Sequence, residues 1–131
     1  MNKFYGTIHS IQSSTHLSRI EIDINSFSMS VFIIDDFEHY KINQSVQLMF
    51  KESAITLSSL SYPSTSNSFA GTIEAIDTGD LLSSIAIQTD GVTIKALIGT
   101  REWKDLNFYI GQSICWSVLP SSIVISGEMH E

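Results

Sequence analysis

Phe4-Tyr5-Gly6-Thr7-Ile8 recurs in the second half of the chain as Phe69-Ala70-Gly71-Thr72-Ile73, an offset of 65 residues. Self-similarity at a fixed period marks a repeated structural unit, so the 131 residues read as two copies of one small β-module. The phase holds further along: Ile11, Ile20 and Ile22 fall on Ile76, Ile85 and Ile87. Towards the end of each copy, Lys51-Glu52-Ser53-Ala54-Ile55 corresponds to Leu119-Pro120-Ser121-Ser122-Ile123 at an offset of 68. The second copy therefore carries roughly three extra residues, expected around Asn107 to Tyr109, because repeats keep their strands and vary their connections.

Within each copy the hydropathy has the period of half-buried strands. Arg19-Ile20-Glu21-Ile22-Asp23-Ile24 alternates charged and apolar residues without a break, which sends its isoleucines to one face. Phe27, Met29, Val31 and Ile33 continue on alternate positions beyond a tight Asn25-Ser26 connection. Asp90-Gly91, a strong hairpin dipeptide, stands at the matching place in the second copy. A later strand carries Val46, Leu48 and Phe50, matched by Ile114, Trp116 and Val118. Short final strands are expected near Ala54 to Leu57 and Ile123 to Ile125. The segments Asp35 to Tyr40 and Thr100 to Leu106 change to helical spacing, each a short helix opened by Asp35 or Thr100 as a cap. The serine-rich stretch from Leu57 to Ser68, with Pro63, reads as the linker.

The expected fold is therefore all-β: two tandem five-stranded β-barrels of the oligonucleotide-binding (OB) type, each with a short helix before the fourth strand. The first spans residues 1–60 and the second 61–131. Modules of about 60 residues are marginal alone, so each copy is expected to lean on its twin or on other chains.

Composition narrows the function. A net charge of −7, with seven scattered Lys and Arg, speaks against nucleic acid, whose phosphates need clustered cations. No apolar run approaches the roughly 20 residues of a membrane span. The start moves straight into a strand pattern without signal-peptide character, so a cytoplasmic location is expected. Cys115 stands alone on a strand and reads as packing. His9, His16, His39 and His130 show no close pair or cysteine partner, so no residue is expected to ligate a metal cation directly. Asp35-Asp36, Asp77 and Asp80 sit where acids ordinarily open turns and helices. No triad, phosphate loop or paired catalytic carboxylates emerge, so neither an enzyme activity nor a cofactor is expected.

On these residues the chain resembles a tandem molbindin: two copies of the molybdate-binding Mop module, within the TOBE (transport-associated OB) superfamily. Such modules open with a Ser-Ala-Arg-Asn-x-Leu-x-Gly pattern, which Ser64-Thr65-Ser66-Asn67-Ser68-Phe69-Ala70-Gly71 follows with Ser66 in place of the arginine. The first copy offers Asn2-Lys3-Phe4-Tyr5-Gly6. The family's strand-then-turn pattern is similar to Ile94-Lys95-Ala96-Leu97-Ile98-Gly99-Thr100-Arg101-Glu102, and its closing Lys-Ala-Ser-x-Val signal to Lys51-Glu52-Ser53-Ala54-Ile55.

The resemblance implies binding of molybdate or tungstate, tetrahedral dianions whose oxygens only accept hydrogen bonds and so require a shell of donors. It implies that the opening motif of one module meets the closing motif of a neighbour. Carried over residue by residue, Asn2 and Asn67 are the motif asparagines, Ser64 and Ser66 lie in the opening motif, Lys51 is the cation, and Ser53 and Ser121 supply hydroxyls. It also implies self-association, as a homotrimer, and a role in molybdenum storage or homeostasis. The chain departs from the family in three ways: neither copy has the motif arginine, Leu119 replaces a lysine, and Glu52 adds a carboxylate beside Lys51. A second reading follows from these departures, a TOBE-type regulatory or assembly module that has lost its anion site. Single-stranded nucleic acid is a third, resting on barrel analogy alone.

Overall fold

A computed structural model describes residues 1–34, 40–59 and 67–127. The chain forms two curled five-stranded sheets with one short helix among the described residues. The strands are β1 (Asn2–Ser13), β2 (Leu17–Ile24), β3 (Phe27–Ile34), β4 (Ser45–Phe50), β5 (Ile55–Ser58), β6 (Ser68–Thr78), β7 (Leu82–Thr89), β8 (Val92–Gly99), β9 (Ser113–Val118) and β10 (Val124–Ser126). Helix α1 (Thr100–Leu106) precedes β9. Single 3-10 turns, Glu52–Ala54 and Pro120–Ser122, introduce β5 and β10.

The alternation read from the sequence becomes the burial pattern of the sheets. Ile20, Ile22 and Ile24 are buried on β2, and Ser83, Ile85 and Ile87 alternate inward on β7. Each pairs across a two-residue turn with its neighbour, Ile24 opposite Phe27 and Thr89 opposite Val92. In the second turn both Asp90 (φ 50°) and Gly91 (φ 81°) adopt positive φ, the requirement that selects an Asp-Gly dipeptide in a type I′ hairpin. In the first, Asn25 alone has positive φ, 47°.

The 65-residue offset extends to backbone detail. β1 and β6 each carry a register irregularity, between Ile8 and Ser10 in one and Ile73 and Ala75 in the other. The Ile8 N–H donates to the Gln44 carbonyl and the Ile73 N–H to the Gln112 carbonyl, both at 2.9 Å. Gln112 lies 68 residues beyond Gln44, whereas Gly99, which pairs with Leu82 as Ile34 pairs with Leu17, still keeps the offset of 65. The extra residues thus enter between Gly99 and Gln112, in the segment that contains α1.

The two compact units do not follow the order of the sequence. One comprises Met1–Asn2 and Lys51–Val118; the other comprises Lys3–Phe50 and Leu119–Glu131. The division at 60/61 expected from the repeat therefore separates strands that fold together. The reason is an exchange of final strands. β5, from the end of the first copy, pairs with β9 in the sheet ordered β5-β9-β6-β7-β8. β10, from the end of the second copy, pairs with β4 in the sheet ordered β10-β4-β1-β2-β3. Each core is closed by the other copy's last apolar residues: Ile55 and Leu57 are buried beside Trp116, and Ile123 is buried in the unit of Val46, Leu48 and Phe50.

Three sequence expectations shift. The linker starts later than Leu57, since Leu57 and Ser58 belong to β5, and residues 60–66 lie outside the described residues. The helical segment expected over Asp35 to Tyr40 falls mostly on residues 35–39, also outside them. Thr100 is not the cap of α1: Gly99 is, and it makes no side-chain cap bond. Thr100 is instead buried, with its hydroxyl taken up by tertiary partners. It lies 2.7 Å from the Gly79 carbonyl and 2.7 Å from Ser83 Oγ, while Trp103 Nε1 donates to Ser83 Oγ at 2.6 Å. The carbonyl can only accept, so Thr100 donates to Gly79, Ser83 donates to Thr100, and Ser83 accepts from Trp103.

Candidate functional site

Five of the seven expected oxyanion-binding residues lie in the described part of the chain: Asn2, Lys51, Ser53, Asn67 and Ser121. Ser64 and Ser66 lie outside it. Asn2, Lys51, Ser53 and Asn67 belong to one compact unit, and Ser121 belongs to the other. The strand exchange accounts for this, because it carries the first copy's closing segment to the unit built on the second copy's sheet.

Lys51 and Ser53 sit on the 3-10 turn that leads into β5. Both are exposed, and the Ala54 N–H closes the turn onto the Lys51 carbonyl at 3.0 Å. Lys51 has φ −71° and ψ 151°. Leu119, at the matching place before Pro120–Ser122, has φ −66° and ψ 140°, and the Ser122 N–H closes onto its carbonyl at 2.9 Å. The two turns share one backbone and differ in what they display: an ammonium in one, a leucine 63% exposed in the other. Ser53 and Ser121 occupy the same middle position, both open to solvent.

The Glu52–Ala54 turn packs against β8, and Asn2 meets the same strand. Asn2 is buried. Its Nδ2 donates to the Lys95 carbonyl and its Oδ1 accepts the Lys95 N–H, both at 2.8 Å. A primary amide has a second Nδ2 proton, so one donor remains beyond this pair. The Glu52 carboxylate, the group most adverse to an anion here, lies 3.5 Å from the Met1 amino nitrogen. Asn67 precedes β6, buried and left-handed at φ 58°. That conformation suits asparagine better than most residues. Its carbonyl accepts the Val118 N–H at 3.2 Å.

Lys95 is a further cation that motif reading passed over. It is exposed on β8 opposite Ala86, on the strand that receives both Asn2 and the Lys51 turn. Neither Lys51 nor Lys95 is ion-paired among the described residues. The signal was present as a lysine in Ile94-Lys95-Ala96, but only the contact with Asn2 gives it meaning. Among the described residues no group of three or more His, Cys, Asp or Glu could hold a metal ion, and no helix is long and apolar enough to cross a membrane.

Taken together, the fold is a pair of OB-like five-stranded barrels. It is similar to a solved structure of the cytoplasmic molybdate-binding protein ModG, in a form grown with molybdate bound, with a TM-score of 0.88 over 95% of this chain and 94% of that one. Sequence identity is 16%, so the likeness is one of fold. No protein-family model matches the chain, and no curated protein does.

Proposed function

We propose that this chain is a small oxyanion-binding protein of the molbindin type, taking molybdate or tungstate for storage or homeostasis of molybdenum in the cytoplasm. The observation that carries the reading is the strand exchange: it gathers Lys51 and Ser53, from the end of one copy, with Asn67, from the start of the next, in one compact unit. Those are the motif ends from which the resemblance builds its pocket. The fold likeness to a molybdate-bound protein over nearly the whole of both chains supports the same reading.

The chemistry is that of a neutral donor shell with a cationic complement. Serine hydroxyls and amide protons satisfy oxygens that can only accept, and an ammonium strengthens the shell through charge-assisted bonds. Glu52 is compatible with a bound dianion because its carboxylate faces the Met1 amino group. Ser64 and Ser66 remain part of the proposed shell, as does self-association into a trimer, which would bring further motif ends together.

Titration calorimetry and thermal unfolding with molybdate, tungstate and sulfate test the proposal. Ligand at a hundredfold of its Kd should raise stability by about 2.7 kcal/mol. Silence with both molybdate and tungstate would remove the ligand. One observation favours a second reading, a barrel pair serving as a regulatory or assembly module: the closing turn at Leu119 displays an apolar side chain where the family has a cation. Recovery of one defined protein partner, with all oxyanion titrations silent, would select it.

A further inference from the structure

Resting on that reading, we infer that the two copies have diverged electrostatically, so that anion binding depends on the Lys51 turn with Lys95, while the matching turn at Leu119 contributes no anion site. One cross-strand pair differs in charge between the copies. On β7 and β8, Ala86 stands opposite Lys95; at the equivalent place on β2 and β3, Glu21 stands opposite Ser30. The turn over Glu52–Ala54 packs on β8, and the turn over Pro120–Ser122 packs on β3. The first turn thus carries one ammonium, Lys51, and the strand it packs on carries another, Lys95, neither with an ion-pair partner among the described residues.

Around the second turn the balance reverses. Ser30 Oγ lies 2.8 Å from each carboxylate oxygen of Glu21. Arg19 is the cation nearby, and it is already committed: its Nε donates to Glu21 at 2.7 Å, its Nη2 to Ser30 at 3.2 Å, and its guanidinium lies 5.7 Å from the Phe32 ring centroid. A dianion approaching that strand meets a carboxylate, a neutralised guanidinium and Leu119. One approaching β8 meets Lys51, Lys95 and Ala86, with the one carboxylate of the turn, Glu52, set 3.5 Å from the Met1 amino nitrogen. Coulomb attraction at short range favours the β8 side. Lysine suits the task, because its long stem lets a point charge follow the ligand.

The test is calorimetric titration of molybdate into the full chain and three variants. Lys51, Lys95 and Leu119 are all exposed, so the substitutions leave the folded cores intact. The wild-type protein should give a single class of sites. Lys51→Gln should weaken the whole isotherm about tenfold or more, and Lys95→Gln should weaken it as well, each having lost a charge-assisted contact. Leu119→Glu should leave capacity and affinity unchanged, although it plants a carboxylate on the second turn. Loss of half the capacity in Leu119→Glu would overturn the inference, as would half the capacity surviving at wild-type affinity in Lys51→Gln. An unchanged Lys95→Gln would remove Lys95 from the site. A silent wild-type protein would instead overturn the oxyanion reading itself.

Discussion

The side-chain amide of Asn2 is bonded twice to a single residue, donating to the Lys95 carbonyl and accepting the Lys95 N–H, both at 2.8 Å. β8 is the edge of its sheet, so these main-chain groups face away from the ladder, and the amide substitutes for one residue of a missing strand. An edge left open is a template for unwanted pairing. Asn2→Ala would leave both groups of Lys95 without their partner, and Asn2→Asp would set a carboxylate against a carbonyl. Each variant should lose about 1 to 3 kcal/mol of stability, with Asn2→Asp the worse, as measured by the midpoint of urea unfolding. A midpoint equal to wild type in both would show that the pair carries no stability.

The chain of hydroxyls from Trp103 through Ser83 and Thr100 to the Gly79 carbonyl is directional, so removing a middle member strands its neighbours. Thr100→Val keeps the shape of the side chain but deprives Ser83 of its acceptor. It should destabilise by about 1 to 3 kcal/mol, the penalty of an unsatisfied buried polar group. Because Trp103 is the anchor of α1 in this network, its fluorescence should shift to longer wavelength before global unfolding. Coincident fluorescence and circular-dichroism transitions would argue that α1 is held by other means.

The repeated glycine that marks the duplication meets the same two groups in each copy, at different distances. A Cβ on Gly6 would lie 2.5 Å from the Asp23 carbonyl oxygen and 2.7 Å from Ile22 Cγ2. On Gly71 it would lie 2.5 Å from Ile87 Cγ2 and 3.2 Å from the Gln88 carbonyl oxygen. A methyl group can give way where a backbone carbonyl in a ladder cannot. Gly6→Ala should therefore lower stability more than Gly71→Ala, both within the about 1 to 3 kcal/mol range of overpacking. Denaturant titration of the two variants checks the order.

Much of the fold was legible because β-strands write their burial into alternate residues. Ile20, Ile22, Ile85 and Ile87 were assigned inward from that alternation, and all four are fully buried. Asp90-Gly91 was legible because positive φ at two successive positions demands such a pair. Thr100 misled because a threonine before a helical stretch has the chemistry of a cap, whereas the tertiary fold offered its hydroxyl better partners. The exchange of β5 and β10 left no mark, since Ile55 and Leu57 would present the same apolar face to either sheet. Lys95 was hidden for a related reason: a lysine on an exposed strand position is ordinary until Asn2 is seen bonded to its backbone.

That exchange makes a prediction about cutting the chain. A polypeptide of residues 61–131 contains the whole second copy by sequence but lacks β5, which pairs with β9 along Ile55 to Ser58 and buries Ile55 and Leu57. A polypeptide of residues 51–118 crosses the repeat boundary but contains every strand of the β5-β9-β6-β7-β8 sheet. Modules of this size have little core to spare, and apolar burial contributes about 25 cal/mol per Å², so the loss of two buried side chains decides between folding and not folding. Residues 51–118 should unfold cooperatively and protect the Trp116 indole N–H, which donates to Thr89 Oγ1 at 3.2 Å, from hydrogen exchange. Residues 61–131 should show neither behaviour. Equal stability of the two polypeptides would mean that β9 does not need β5, and that the sequence repeat, not the exchanged sheet, is the folding unit.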